Sequence, residues 1–272
     1  MRKLLTYLFL TLLLLSCEKQ TDWELQESNN EYIVVNGIIT NELKVQSISL
    51  SRPVTGINGQ SQPVTCATVL ISSNQMVYNF HEDTLQPGLY LSDKAFAGFK
   101  NKTYSLLITS GSNVYSSKAV LATPFDFIFL VYKKITNENL YRIIWVANTY
   151  NSVRPAMYEI FLDWSSVPGY ENTDPDSCWA KLYYYSLPTL DVSEIFAPSL
   201  QKMSFPAGTL ITERRYSLTD EHAAYIRSLL LETTWQGGFF NTAAANVPTN
   251  LSEGALGYFG ACGVVEKQET VK

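Results

Sequence analysis

The sequence predicts a mainly β protein that carries one amphipathic helix. Three observations lead there. Aromatic residues are plentiful, with 17 Tyr, 13 Phe and 5 Trp, and they stand beside Val, Ile and Thr, a balance that fits a pleated, half-buried surface. Short apolar or alternating runs recur between turn-forming pairs such as Asn58-Gly59, Ser73-Asn74 and Pro87-Gly88. Only residues 217–235 show the three-to-four-residue apolar spacing of a helix.

The chain opens with Arg2 and Lys3 and an apolar block from Leu4 to Ser16. At about 1.5 Å per helical residue that block falls short of a ~30 Å hydrocarbon layer, so residues 1–16 read as a secretory leader rather than a spanning helix. Residues 17–30, beginning CEKQTDWE, form a polar tether. From Glu31 to Ala122 about seven strands follow. EYIVVNGIIT is a continuous apolar run suited to burial on both faces, and VQSISLS alternates with Ile48 and Leu50 inward. VTCATVLIS, QMVYNF, PGLYLS, TYSLLIT and the stretch from Val114 to Val120 complete the set. This spacing, without a helical period, predicts an immunoglobulin-like or transthyretin-like β-sandwich over residues 31–122.

Ala122-Thr123-Pro124 marks the expected junction, because proline ends a ladder and restricts the residue before it. Residues 123–272 read as a second β-rich domain, with strands in DFIFLVY, LYRIIWVA, AMYEIFLDW and CWAKLYYYS. In AMYEIFLDW the residues Tyr158, Ile160, Leu162 and Trp164 share one face. Ser186 to Gly208 is polar and proline-marked, a long loop of the kind that carries binding surfaces. The helix SLTDEHAAYIRSLLLETTW has Ser217 and Asp220 as a capping-box-like start, with Leu218, His222, Tyr225, Ile226 and Leu229 on its apolar stripe.

Charge excludes some functions. Of the 20 Lys and Arg, two lie in the leader; the remaining 18 face 25 Asp and Glu, a net charge of −7. Nucleic acid is therefore not an expected partner, since its binding rests on clustered cations. Chemistry is equally sparse. There are two histidines, and no H-E-x-x-H, G-x-S-x-G or Walker motif is present. His222 lies on the apolar helix stripe, and His81 has Glu82 and Asp83 on opposite faces of its strand. Asn172, Asp174 and Asp176 have calcium-loop spacing without the glycine or distant glutamate such a loop needs. No enzymatic activity, metal or cofactor is expected.

Apart from Cys17 there are three cysteines, Cys66, Cys178 and Cys262, and none forms a C-x-x-C pair. In an exported chain a disulfide is permissible, and the preferred pair is Cys178–Cys262, both in the second half. Closing that loop of 84 residues would add roughly 4–5 kcal/mol. Three buried thiols are the alternative. Trp164, Trp179 and Trp235 are candidate contacts for a glycan or a partner, because indole faces stack on sugar rings; alternation instead places such residues in a core.

Leu14, Leu15, Ser16 and Cys17 resemble the lipobox of bacterial lipoproteins, which implies acylation of the Cys17 sulfur and cleavage before it. The ordered pieces EYIVVNGIIT, VQSISLSRP, CATVLIS, PGLYLSD, KTYSLLI, VYSSKAV and PTNLSEGALGYFGAC resemble the Bacteroidetes outer-membrane lipoproteins catalogued as domain-of-unknown-function family 4249, from Cys17 to about Val265. The resemblance implies a lipid anchor in the outer membrane, facing the cell exterior, an N-terminal sandwich similar to carboxypeptidase regulatory-like domains, and association with a TonB-dependent outer-membrane receptor. It implies no catalytic residues. A stand-alone glycan-binding or adhesion lipoprotein is the other expectation.

Overall fold

The computed structural model describes residues 32–54, 59–170, 173–188, 203–233 and 247–272. Cys17, the leader, the tether and Trp235 lie outside them, as does most of the expected loop between Ser186 and Gly208. Glu31–Lys272 form one compact unit. The expected seven strands of the first half are present: β1 (Ile33–Thr40), β2 (Ser47–Ser51), β3 (Thr68–Ser73), β4 (Met76–Glu82), β5 (Leu89–Ser92), β6 (Thr103–Ser110) and β7 (Asn113–Val120). The second half adds β8 (Val131–Lys134), β9 (Leu140–Trp145), β10 (Ala156–Asp163), β11 (Trp179–Ser186), β12 (Ser204–Pro206), β13 (Leu210–Ser217), helix α1 (Asp220–Thr233) and β14 (Ala255–Thr270).

One mixed sheet of 11 strands runs β11-β10-β13-β14-β1-β2-β5-β4-β3-β6-β7, and β12-β9-β8 form a second sheet of three. The fold is mainly β. The large sheet continues across the expected junction because β14 serves both halves. Its residues 255–262 pair in parallel with β1, and residues 263–270 pair antiparallel with β13. β1 is thus a central strand, yet it alternates instead of being buried on both faces: Ile33 and Val35 are inaccessible while Asn36 is exposed.

The first-half sheet curls until its last strand returns beside β14. The Ser252 N–H donates to Ser116 O at 2.8 Å, and the Ala122 N–H donates to Ala261 O at 3.1 Å. Two side-chain amides finish the ladders of β14 by imitating a backbone unit. Asn250 accepts from the Phe259 N–H at 3.1 Å and donates to Phe259 O at 2.7 Å. Asn41 accepts from the Val264 N–H and donates to Val264 O at 3.2 Å. Each pair satisfies a donor and an acceptor that would otherwise be stranded where the neighbouring strand ends. Gly257 is required by the crowding: its φ is +90°, and a Cβ there would lie 2.1 Å from Val35 O.

Three cores result. The first holds Ile33 to Leu121 together with Ala255, Phe259 and Ala261. The second, between the two sheets, includes Phe127, Leu130, Tyr158, Ile160, Leu162, Trp164 and Phe205. The third lies under α1 and contains Tyr216, Ala223, Ile226, Cys262 and Val264. Burying each large aliphatic or aromatic side chain contributes about 1.5–3 kcal/mol, so these clusters hold the strands together. The start of α1 differs from expectation. Ser217 closes β13, and Thr219 is the cap, its Oγ1 accepting the His222 N–H at 3.3 Å. The buried stripe runs through His222, Ala223 and Ile226 to Leu230, which leaves Leu229 exposed.

Candidate functional site

The four strands of the second half set four rows of side chains across the outer face of the sheet. Register places Tyr185, Met157, Tyr216 and Val264 in the first row. Helix α1 covers that row with Ala223, Ile226 and Leu230. The second row is Tyr183, Glu159, Arg214 and Glu266. Here Arg214 pairs with Glu42, with Glu159 at 3.2 Å and with Glu266 at 3.5 Å, while Lys181 meets Glu159 at 2.9 Å. Lys44 reaches Glu42 at 2.9 Å. Burial pushes the Glu42 carboxyl up, but Lys44 and Arg214 outweigh it and hold the group below its ordinary range. The network joins the turn after β1 to β13 and β10.

Beyond it the face is open. The third row is Lys181, Phe161, Thr212 and Gln268, and the fourth is Trp179, Asp163, Leu210 and Thr270. Trp179 is 45% exposed and Tyr183 49%. The Trp179 ring leans on Phe161 with centroids 5.8 Å apart at 31°. Lys181 sits 5.5 Å above the Tyr183 ring, and the Tyr183 hydroxyl donates to Glu159 at 3.3 Å. Asp163 accepts from the Ser165 N–H and hydroxyl at 2.9 and 2.7 Å. Such a face can stack against a sugar ring or an apolar protein surface.

The three candidate tryptophans therefore separate. Trp164 is 9% exposed, in the second core, and makes no surface contact. Trp179 is open, and Trp235 lies outside the described residues. The expected Cys178–Cys262 bridge is not formed, and both residues are buried free thiols. The reason is topological: Cys178 belongs to the core between the sheets and Cys262 to the core beneath α1. Cys66 is an exposed free thiol.

Sequence reasoning put His222 on an apolar stripe but missed its partners. The ring stacks on Tyr258 at 4.6 Å and 19°, and Tyr225 stacks on Tyr258 at 4.7 Å and 24°. Cys262 Sγ lies 3.6 Å from His222 Nδ1. Burial pushes the imidazole down to about 4 and the thiol up to about 12, so the proton stays on sulfur and the pair remains neutral. A thiolate nucleophile is thereby disfavoured at neutral pH. The signal for this packing was Gly260, over which the imidazole lies. His81 pairs with Asp93 at 3.0 Å on the surface, away from Glu82 and Asp83.

Two other features stand apart. On the outer face of the first half, Leu70, Ser72, Ser105, Leu107, Ser116 and Asn250 help line an open groove of about 590 Å³. On the inner face of the second half, Glu213 is inaccessible to solvent. Among the described residues no group of three or more His, Cys, Asp or Glu is placed to hold a metal ion.

Fold and site together define a mainly β protein with one open aromatic sheet face. The profile of the family described as a domain of unknown function (DUF4249) matches residues 18–268, and the chain belongs to that family. No curated protein matches it.

Proposed function

We propose that the protein is a lipid-anchored outer-membrane component, facing the cell exterior, that assists a TonB-dependent nutrient transporter by contact and performs no covalent chemistry. The observation that carries this reading is Cys17 at the end of LLLLSC, together with the ordered motifs through GALGYFGAC. Each buried acyl methylene contributes about 0.8 kcal/mol, and two or more chains make anchoring effectively permanent. Confinement to one membrane raises the effective concentration of two proteins, so a modest interface is occupied. The first half, read as an immunoglobulin-like or transthyretin-like sandwich, and the second half are joined through β14 into a scaffold that presents the Trp179 face. Mild detergent extraction followed by mass spectrometry of co-purifying proteins tests the proposal. A TonB-dependent receptor should be recovered with the native chain and lost with Cys17→Ala; its absence under several extraction conditions overturns the reading.

A second reading, a stand-alone glycan-binding or adhesion lipoprotein, is favoured by the exposure of Trp179 beside Phe161 and Tyr183. A glycan array distinguishes it. Binding that disappears in Trp179→Ala supports this role, and an array with no signal removes it.

A further inference from the structure

Residues 121–130 cross from the first half to the second without forming a strand, and their far end lands on the inner face of the large sheet. Leu130, the last residue before β8, and Phe127 are buried there. What receives them is Glu213, on β13 between Ile160 of β10 and Lys267 of β14. Its Oε2 accepts the Leu130 N–H at 2.8 Å. Its Oε1 is buried and has no hydrogen-bond partner.

A carboxyl in that position is in conflict with itself. One oxygen has a donor; the other is buried in an apolar core with no hydrogen-bond partner among the described residues. Lys267 lies opposite in register but is committed elsewhere, to the carbonyl oxygen of Phe127 and to Asp126 at 2.8 Å. The other titratable groups on this face of the sheet are Arg215 on β13, Tyr158 on β10, Tyr184 on β11 and Glu269 on β14, with Tyr132 of β8 and Tyr141 of β9 packed against the same core. Arg215 is held by Ser217 at 2.7 Å and by the carbonyl oxygen of Arg154 at 2.9 Å. Tyr158 contacts Arg215, and Glu269 takes the Tyr132 hydroxyl of β8. Burial outweighs the through-space effect of Lys267, which favours the charged form of Glu213.

We infer that Glu213 is a proton-operated latch: with its proton it lies under the crossing segment without a buried charge, and when the proton leaves, the cost of that charge outweighs the Leu130 hydrogen bond and the segment loosens so that water reaches the carboxylate. Burial has already raised the group to about 7, which places the transition near neutrality. The opening is local. It concerns residues 126–134, while the ladders of β10, β13 and β14 stay closed.

The test is hydrogen–deuterium exchange of the full mature chain in detergent at pH 6 and pH 8.5, corrected for intrinsic exchange rates, with Glu213→Gln alongside. A carboxyl that titrates near 7 closed and near 4.5 open makes opening about tenfold more frequent between those two pH values. Peptides covering residues 126–134 should therefore lose about tenfold protection in the native chain and keep it in Glu213→Gln, while β10 and β14 peptides do not change. Equal protection at the two pH values in the native chain overturns the latch, as does an equal loss in Glu213→Gln. If the Gln variant does not fold, Glu213→Met supplies the non-titrating comparison, and the native profile alone still decides the first outcome.

Discussion

A methyl group added at Gly260 tests how α1 is held. A Cβ there would lie 2.6 Å from His222 Cε1 and 2.9 Å from Nδ1. Both distances are shorter than real Cβ contacts, so the ring or the helix must move. The ring has nowhere to go: it is 5% exposed, stacked on Tyr258, with Cys262 Sγ at its edge. Forcing an extra methyl into such packing costs about 1–3 kcal/mol, offset by roughly 0.4–1 kcal/mol from the stiffer unfolded chain, so Gly260→Ala should destabilise by about 1–2 kcal/mol. His222→Ala empties the same space at about 2–4 kcal/mol. Once the ring is gone the methyl has room, and Gly260→Ala added to His222→Ala should be neutral or mildly stabilising. The double-mutant cycle therefore predicts a coupling of about 1.5–2.5 kcal/mol. Urea unfolding at pH 7, followed by circular dichroism and compared at constant m-value, measures it. Additivity of the two changes within about 0.5 kcal/mol would show that the imidazole does not lie over Gly260 and refute the assignment.

The same His222 and Glu213 oppose one another in pH dependence. His222 titrates near 4 folded and 6.5 unfolded, so its stabilisation is present above 6.5 and lost as pH falls toward 4; Glu213, near 7 folded and 4.5 unfolded, contributes most below 4.5 and loses this as pH rises toward 7. Between about pH 4.5 and 6.5 the two slopes, each about 1.4 kcal/mol per pH unit, should cancel; chemical denaturation of Glu213→Gln across that window should show stability rising with pH relative to the native chain, and no change in slope counts against a raised Glu213. Trp164→Ala should cost about 3–5 kcal/mol and Trp179→Ala under about 1 kcal/mol, because only the first leaves a cavity; equal losses in urea unfolding would contradict their burial. A maleimide should label Cys66 in the folded chain and reach Cys178 and Cys262 only in denaturant, and an intact mass two daltons light in both states would establish the bridge instead.

Much of the architecture was legible because alternation is a local property. The file of Tyr158, Ile160, Leu162 and Trp164 could be read from AMYEIFLDW alone, and it is buried. Helix α1 was visible from its period, but its cap was not: Ser217 and Thr219 both have cap side chains, and only the end of β13 decides between them. The cysteine pairing failed for a related reason. Sequence separation places Cys178 and Cys262 in one half of the chain without revealing that a sheet stands between their cores. Glu213 gave no local signal, since VQSISLS-like alternation and TLITERRYS look equally solvated until Leu130 is laid across the second.

What alternation cannot supply is the neighbour of each strand. Here that is decided from a distance by β14, whose partner β1 lies more than two hundred residues earlier, and by Asn41 and Asn250, which complete its edges. This one strand reaches every core: Ala255, Phe259 and Ala261 lie in the first, Val265 packs against the second, and Cys262 and Val264 lie in the third. Each of the three is completed by this last segment of the chain. The glycines of GALGYFGAC, which could pass for a flexible tail, are consequently among the most constrained positions, because each close approach they permit is made to a segment that only tertiary structure brings near.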